Sequence, residues 1–252
     1  MYVLRRILSF LIFIIGWQII AMILSSPVFP SPSQVLIACS REFPFLLQNT
    51  GASLFRVCVG FLIALLIGSL GGMFVGLAGF WALGIRDTLE LFRPIPPIAW
   101  VPLSIVWLGL GDHSAWFVVF LGAFFPIFIH TSHAFSRPPE QLLEVSKNLG
   151  ASAWQELLYL RIPAATPELF QGVRIGLGLA WTSVIAAELV GVRSGLGDRI
   201  QQLRYISDYE SMIINMLMIG ILGWVMVSVL NHIEKRMIKW NLIPEQQSKT
   251  SL

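Results

Sequence analysis

The chain has 252 residues, 56% of them hydrophobic and 12% charged, with a mean hydropathy of +0.74 and a formal charge of +3. Soluble globular domains carry about 25% charged residues, so this composition excludes an ordinary soluble enzyme or binding domain and describes an integral membrane protein. The basic residues lie singly between apolar runs, which argues against a nucleic-acid partner and makes them reporters of membrane orientation.

At about 20 residues per crossing, the chain accommodates about six transmembrane helices, predicted at 6–25, 53–79, 95–111, 114–135, 168–190 and 211–233. Arg5 and Arg6 precede the first apolar run. No small-residue cleavage site follows, so a retained span is expected rather than a signal peptide. Cys39 falls in a loop and Cys58 in a span, which predicts two unpaired small residues. The second span carries Gly68, Gly72 and Gly76. Glycines four apart form a smooth stripe against which another helix packs closely. The third span opens Arg93-Pro-Ile-Pro-Pro-Ile-Ala-Trp-Val-Pro102. Its prolines remove backbone donors. They mark either a helix start at the interface or broken backbone beside a watery pathway; Pro102, deeper, favours a kink.

His130 and His133 share a face near the end of span four, too few ligands for a metal site. Between spans four and five lies an amphipathic helix–turn–helix. Pro138 and Pro139 open it, Gly150 suits a left-handed C-terminal turn, and Ser152 with Gln155 has capping-box spacing. Pro163 is read as the stop of the second helix, and Thr166-Pro167 as the cap and first residue of span five. Leu142, Val145 and Leu149 form one apolar stripe and Trp154, Leu157 and Leu158 another. A short loop has no core of its own for these stripes, which predicts a partner or the membrane surface. Span five repeats the small-residue device with Gly172, Gly176 and Ala180 and then carries Glu188. A carboxylate inside a span faces protein or water; Arg56 is its candidate partner, as a structural ion pair or as part of a gate. The polar stretch from Gly191 to Tyr209 suggests a re-entrant or surface helix, and the tail 243–252 reads as polar and disordered.

With the N-terminus cytoplasmic, Arg5, Arg6, Arg86, Arg93, Arg137, Lys147, Arg161, Lys235, Arg236, Lys239 and Lys249 lie inside, against Arg41, Arg56, Arg193, Arg199 and Arg204 outside. The bias places both termini and the helix–turn–helix in the cytoplasm. The sequence contains no GxxxxGK[ST] phosphate loop, and no catalytic constellation supports an enzyme. Trp100, Ser104, Trp107, Thr182, Ser183 and Glu188 are candidate translocation-pathway residues, since a small solute needs a few donors in an apolar passage.

Glu144, Gly150 and Pro163 stand in the spacing of the EAA loop, and the chain resembles the permease subunits of binding-protein-dependent ABC importers. Val145 and Ser146 replace the two alanines of that pattern. Ser53 to Phe61, Arg93 to Leu103, and Ala187-Glu188 through Gly197 look like the nitrate/sulfonate/taurine/bicarbonate branch. The resemblance implies an all-α membrane protein with the MetI-like type I fold and a cytoplasmic EAA coupling helix. Glu144, Gly150, Ala151, Trp154, Leu157 and Pro163 are the expected ATPase-coupling residues. The implied partners are an ABC ATPase dimer, a second permease copy and a periplasmic or lipoprotein solute-binding protein. ATP and magnesium would bind the ATPase, and no cofactor would bind this chain. The expected division is an N-terminal helix at 1–30, a permease domain at 50–240 with its EAA loop at 137–167, and a tail at 243–252, all in the bacterial cytoplasmic membrane. The expected solute is a small anion such as a sulfonate, taurine, nitrate or bicarbonate; a pyrimidine vitamin precursor is the alternative. From other classes, a secondary transporter would want inverted repeats, and a membrane scaffold has no use for a proline-broken span.

Overall fold

The computed structural model describes residues 2–238, so Lys239, Lys249 and the tail 243–252 lie outside the described residues. All regular elements among them are helical: α1 (Tyr2–Leu24), α2 (Pro32–Leu77), α3 (Phe80–Glu90), α4 (Val101–Leu108, preceded by a 3-10 turn Pro97–Trp100), α5 (Asp112–Ser136), α6 (Glu140–Asn148), α7 (Ala153–Glu156), α8 (Ile162–Gly191), α9 (Leu196–Tyr205) and α10 (Tyr209–Met237). Five helical segments are long and apolar enough to cross a membrane: α1, α2, α5, the run from Ala153 to Gly191, and α10.

The core is α5 clasped between α2 and α8. Along α2, Gly60 meets Val119, Gly68 meets Ile127, Gly72 meets Thr131 and Gly76 meets Phe135. These pairs advance together, so α2 and α5 run parallel. On the other flank of α5, Gly176 faces Ala123 and Ile127, and Gly172 faces Pro126 and His130. Here the order reverses, so α8 is antiparallel to α5. The small-residue stripes thus do what their spacing predicts: they bring backbones close where lipid supplies no hydrophobic drive between helices.

Two parallel spans joined by one connection require the chain to return across the bilayer between 77 and 112. The apolar helical stretch there is Pro97–Leu108. Its 12 residues rise only about 18 Å, against a hydrocarbon core of about 30 Å. The third span is therefore a broken crossing, with non-helical backbone on both sides of a short helix, and not the continuous helix expected at 95–111. Pro94, Pro96, Pro97 and Pro102 keep the helix from starting earlier, by withholding N–H donors and fixing φ. Val101 and Ile105 pack with Ala115, Val118, Ala187 and Val192, so one side of this crossing lies against protein while Val106 and Trp107 stay exposed.

Three boundaries differ from the sequence reading. The second span continues upstream as one helix from Pro32, because Ser31 and Gln34 form a reciprocal capping box there. Pro163 does not stop a helix, and Thr166-Pro167 does not start one. Ala153 to Gly191 is continuous, through a π-helical turn at Leu157–Arg161. The Ile162 N–H reaches the Leu157 carbonyl, so the helical register is already shifted where Pro163 lacks a donor. The Thr166 hydroxyl donates to the Ile162 carbonyl at 2.8 Å, inside α8.

One face of the bundle carries the α6–α7 hairpin; the other is stapled by two buried polar networks. Arg56 Nη1 donates to Glu188 Oε1 and to the Ser194 carbonyl, each at 2.8 Å, and its Nε to Asp112 Oδ1 at 2.7 Å. Ser53 Oγ donates to Glu188 Oε1 at 2.8 Å and accepts from the Leu196 N–H at 2.9 Å. The Gly197 N–H donates to Glu188 Oε2 at 3.0 Å. A Cβ on Gly195 would collide with the Glu188 carboxylate. In the second network, Arg199 Nε and Nη2 grip Glu42 Oε1 and Oε2 at 2.6 and 2.8 Å, and Asn215 Nδ2 donates to Glu42 Oε1 at 3.2 Å. Together they join α2, α5, α8, α9 and α10. The surface helix expected between spans five and six is α9, which packs back on the bundle through Leu196 and Leu203.

Two outcomes follow from this packing. A Cβ at Gly72 would stand 2.6 Å from the Phe128 carbonyl oxygen and 2.8 Å from Thr131 Cβ. Gly72→Val therefore loses about 1–3 kcal/mol of stability, read as a lower melting temperature in detergent. Gly220→Ala, with nothing within 4 Å, does not; equal losses would contradict the close seam. Arg56→Ala strands the buried Glu188 carboxylate, at a cost of about 3–5 kcal/mol, and Glu188→Ala costs less because Arg56 keeps Asp112 and Ser194. The double variant loses less than the sum by about 1 kcal/mol or more; strict additivity in melting measurements would dissolve the pair.

Candidate functional site

The α6–α7 hairpin is built by local rules. Pro139 precedes α6, and Gly150, with φ +70°, turns the chain just beyond its end. The Gly150 N–H donates to the Lys147 carbonyl and the Ala151 N–H to the Ser146 carbonyl, both at 3.0 Å, a six-to-one closure of the Schellman type. Ser152 caps α7: its Oγ accepts from the Gln155 N–H at 3.3 Å while Gln155 Oε1 accepts from the Ser152 N–H at 2.8 Å. The turn is thus closed at both ends by its own hydrogen bonds, which sets the angle between the two helices.

The apolar stripes find no cover in this chain. Leu149 is 81% exposed and Trp154 67%, with Leu142 and Val145 also exposed. A groove of about 690 Å³ runs between the helices, lined by Leu142, Val145, Leu149, Tyr159, Leu160 and Pro163 among others. Glu144 is exposed on α6; Ala151 and Pro163 line the groove, and Leu157 opens the π-helical turn. Arg161 anchors the hairpin, with its Nε on Glu156 Oε1 at 2.7 Å and its Nη1 on the Phe135 carbonyl at 3.5 Å. The hairpin runs without a break into α8 and touches the end of α5 through Arg161.

The six pathway candidates do not converge. Glu188, 1% exposed, is committed to Arg56, Ser53 and Gly197, which makes it a structural ion-pair carboxylate. Ser104 and Ser183 are buried and spend their hydroxyls on the Val101 and Leu179 carbonyls. Thr182 is exposed and bonds the Leu179 carbonyl at 3.0 Å. Trp107, also exposed, packs edge-on against Phe117. Trp100 alone lines a cavity, between the broken crossing, α5 and α8. His130 and His133 face Glu168 and Glu90 separately, at 3.7 and 3.6 Å.

Sequence reasoning missed the network of Glu42, Arg199 and Asn215, whose residues are separated by up to 173 positions; only the oddity of a carboxylate amid the apolar run of α2 pointed to it. The Glu42 hydrogen bond raises the pKa of Arg199 above its ordinary value, and burial raises that of Asp198 beside it.

Residues 60–239 match the family of binding-protein-dependent transport system inner membrane components. The chain is 37% identical to a putative ABC transporter permease protein of Methanocaldococcus jannaschii, over 90% of this chain and 88% of that one. It is 31% identical to the taurine transport system permease protein TauC of Escherichia coli, over 90% and 86%. It is 33% identical to the nitrate import permease protein NrtB of a Synechocystis strain, over 88% and 84%. Among solved structures, an inward-facing crystal form of the MetNI methionine ABC transporter superposes with a TM-score of 0.67 at 22% identity, covering 78% of this chain and 98% of that one, which shows a shared fold. An exposed apolar hairpin, a glycine-seamed bundle and these likenesses lead to one conclusion: the chain belongs to the binding-protein-dependent inner membrane components, as the multi-pass permease subunit of an ABC importer that works with a solute-binding protein and a separate, ATP-hydrolysing ATPase.

Proposed function

We propose that this permease passes a small oxyanion inward and that the α6–α7 hairpin is where its ATPase pushes. The carrying observation is the uncovered apolar groove of the hairpin, with Leu149 and Trp154 standing out of it. Apolar surface of this kind on a membrane protein's aqueous face marks a protein contact. Gly150 sets the turn, Glu144, Ala151, Trp154, Leu157 and Pro163 form or flank the docking surface, and α8 carries the motion into the bundle. The names of relatives that carry taurine and nitrate support the oxyanion. The hairpin face is cytoplasmic in this reading, and so are both termini. Arg5, Arg6, Arg137, Lys147, Arg161, Lys235 and Arg236 all belong to that side, in keeping with the positive-inside bias. The membrane is the bacterial cytoplasmic membrane. Residues 50–240 act as the permease domain, joined by the helix within 1–30, whose apolar side chains such as Phe10, Phe13 and Ile23 stay exposed and can meet lipid or a second copy in a homodimer. This chain holds no cofactor in this reading; ATP and magnesium belong to the ATPase.

Gly150→Val tests the coupling role. A β-branched residue at that φ costs about 1–3 kcal/mol locally, enough to displace α7. ATP-driven taurine and nitrate uptake in proteoliposomes with the cognate ATPase and binding protein falls about tenfold or more, and ATPase co-purification weakens. Uptake at the original rate would remove the hairpin from the coupling path.

A further inference from the structure

The end of the bundle away from the hairpin holds a cleft that solute transport leaves unused. Trp181 bonds the Ile219 carbonyl and Arg174 pairs with Glu234, so α10 runs antiparallel to α8 and starts at that end. There the α1–α2 connection, the start of α2 and the α9–α10 turn enclose a polar cleft, lined by Ser25, Ser31, Gln34, Arg41, Asp208 and Glu210 among others. Arg41 Nη2 donates to Asp208 Oδ2 at 3.0 Å and lies 3.8 Å from Glu210 Oε2. Asp208 also receives the Ser211 N–H and hydroxyl. Glu210 is left with Arg41, at a distance beyond hydrogen bonding. The two non-glycine residues with positive φ among the described residues, Ser25 (+44°) and Ser207 (+59°), both line this cleft; backbone strain of this kind collects at binding sites. Phe29 belongs to the wall of the cleft and also to that of an apolar groove, formed by Ile12, Phe13, Gly16 and Ile20 of α1 with Ile213 of α10. The seam glycines of α2 and α8 touch a neighbouring helix, but a Cβ on Gly16 meets nothing within 4 Å. Hydrogen bonds tie α1 to the start of α2 only in its second half, from Trp17 Nε1 to the Pro30 carbonyl at 3.1 Å and from the Ser33 N–H to Gln18 Oε1 at 3.4 Å, among the described residues.

We propose that the cleft and the groove together hold one membrane phospholipid with an ethanolamine headgroup, wedged between α1 and α10. The two recesses meet at Phe29 and are of opposite character, polar towards the water and apolar along α1, as the head and tail of a lipid require. From Ile12 to Ile20 α1 rises about 12 Å, most of the roughly 15 Å that one leaflet contributes to the hydrocarbon core. An acyl chain in the groove therefore stays within the leaflet away from the hairpin. The head lies where membrane and water meet, so its partners must be accessible. Arg41 and Glu210 are, with side chains 61% and 38% exposed. The lipid phosphate accepts from the Arg41 guanidinium, a pairing Arg is shaped for, and the primary ammonium donates to Glu210. One cation beside two carboxylates leaves the cleft net negative, which suits a head that carries an ammonium as well as a phosphate. A phosphoglycerol head brings no cation for Glu210, and a choline head has no N–H to donate. The acyl chain supplies the packing that the first half of α1 lacks, since helices in lipid are held by close fit and hydrogen bonds. A helix of a second permease copy could occupy the groove, but it would leave the charged cleft that opens into it without a role.

The test titrates the purified, delipidated permease–ATPase complex in detergent with phosphatidylethanolamine, phosphatidylglycerol or phosphatidylcholine and counts bound lipid by native mass spectrometry. The expected result is one phosphatidylethanolamine per permease chain, held about tenfold more tightly than the other two lipids. Arg41→Gln weakens it several-fold, the scale of an accessible ion pair. Glu210→Gln removes the preference for ethanolamine over glycerol. Gly16→Leu, whose side chain enters the groove without a collision, weakens all three lipids about tenfold or more. Equal affinity for the three headgroups in the unaltered complex, or a preference that survives Glu210→Gln, overturns the headgroup site. Lipid binding unchanged by Gly16→Leu overturns the seat in the groove and leaves ordinary surrounding lipid. If Gly16→Leu instead separates the two permease copies and leaves lipid binding intact, the groove belongs to the second copy and the proposal fails. Should Gly16→Leu not melt cooperatively, Ile213→Trp, which fills the groove from α10, decides by the same criterion.

Discussion

The architecture depends on how closely α2 and α8 approach α5. In lipid, helix association relies on packing and hydrogen bonds rather than on hydrophobic exclusion, and the glycines of α2 and α8 let backbone atoms of α5 come within a single atom's reach. Because α2 and α5 run parallel under that constraint, the chain must cross the bilayer between them. The sequence available for the task is rich in proline and short of helix. A broken third crossing is the consequence, and it leaves irregular backbone and a small cavity against α5 and α8.

The two faces of the bundle are built for different mechanical roles. On one, Arg56, Glu188, Asp112 and Ser53, and then Glu42, Arg199 and Asn215, tie five helices with short, charge-assisted bonds. Each charge is answered within its network, and removing Arg56 strands the buried Glu188 carboxylate. On the other face, the hairpin touches the bundle mainly through its continuation into α8 and through Arg161. A helix of 39 residues from Ala153 to Gly191 is about 58 Å long, and it joins the hairpin to the Glu188 network with a π-helical turn at its base. Such turns recur at functional positions.

Much of this was legible in the residues. Gly150 at φ +70°, the Ser152 capping box, the glycine stripes and the Arg56–Glu188 pair all behave as their spacing or chemistry predicts. Local rules failed where tertiary context overrode them. Pro163 and Thr166-Pro167 read as a stop and a start, yet the helix passes through them. The π-helical register absorbs one missing donor, and packing of Ala165 and Phe170 holds the turn that follows. The polar pathway set does not converge on one place: a serine in a helix can satisfy itself on its own backbone, as Ser104 and Ser183 do, so polarity in a span does not by itself indicate a lumen.

The sequence alone determined the class of the protein, the approximate number of crossings, the amphipathic hairpin and its need for a partner. These follow from composition and from periodicities within a few turns of chain, where hydropathy and backbone stereochemistry act locally. Only the tertiary structure decided that α2 and α5 are parallel and that the third crossing is broken. It also decided that Glu188 is locked rather than free and that Glu42 meets Arg199 and Asn215. Each of these depends on which residues distant in sequence come within a few ångströms. That is fixed by the fit of whole helix surfaces, a property no window of the sequence contains.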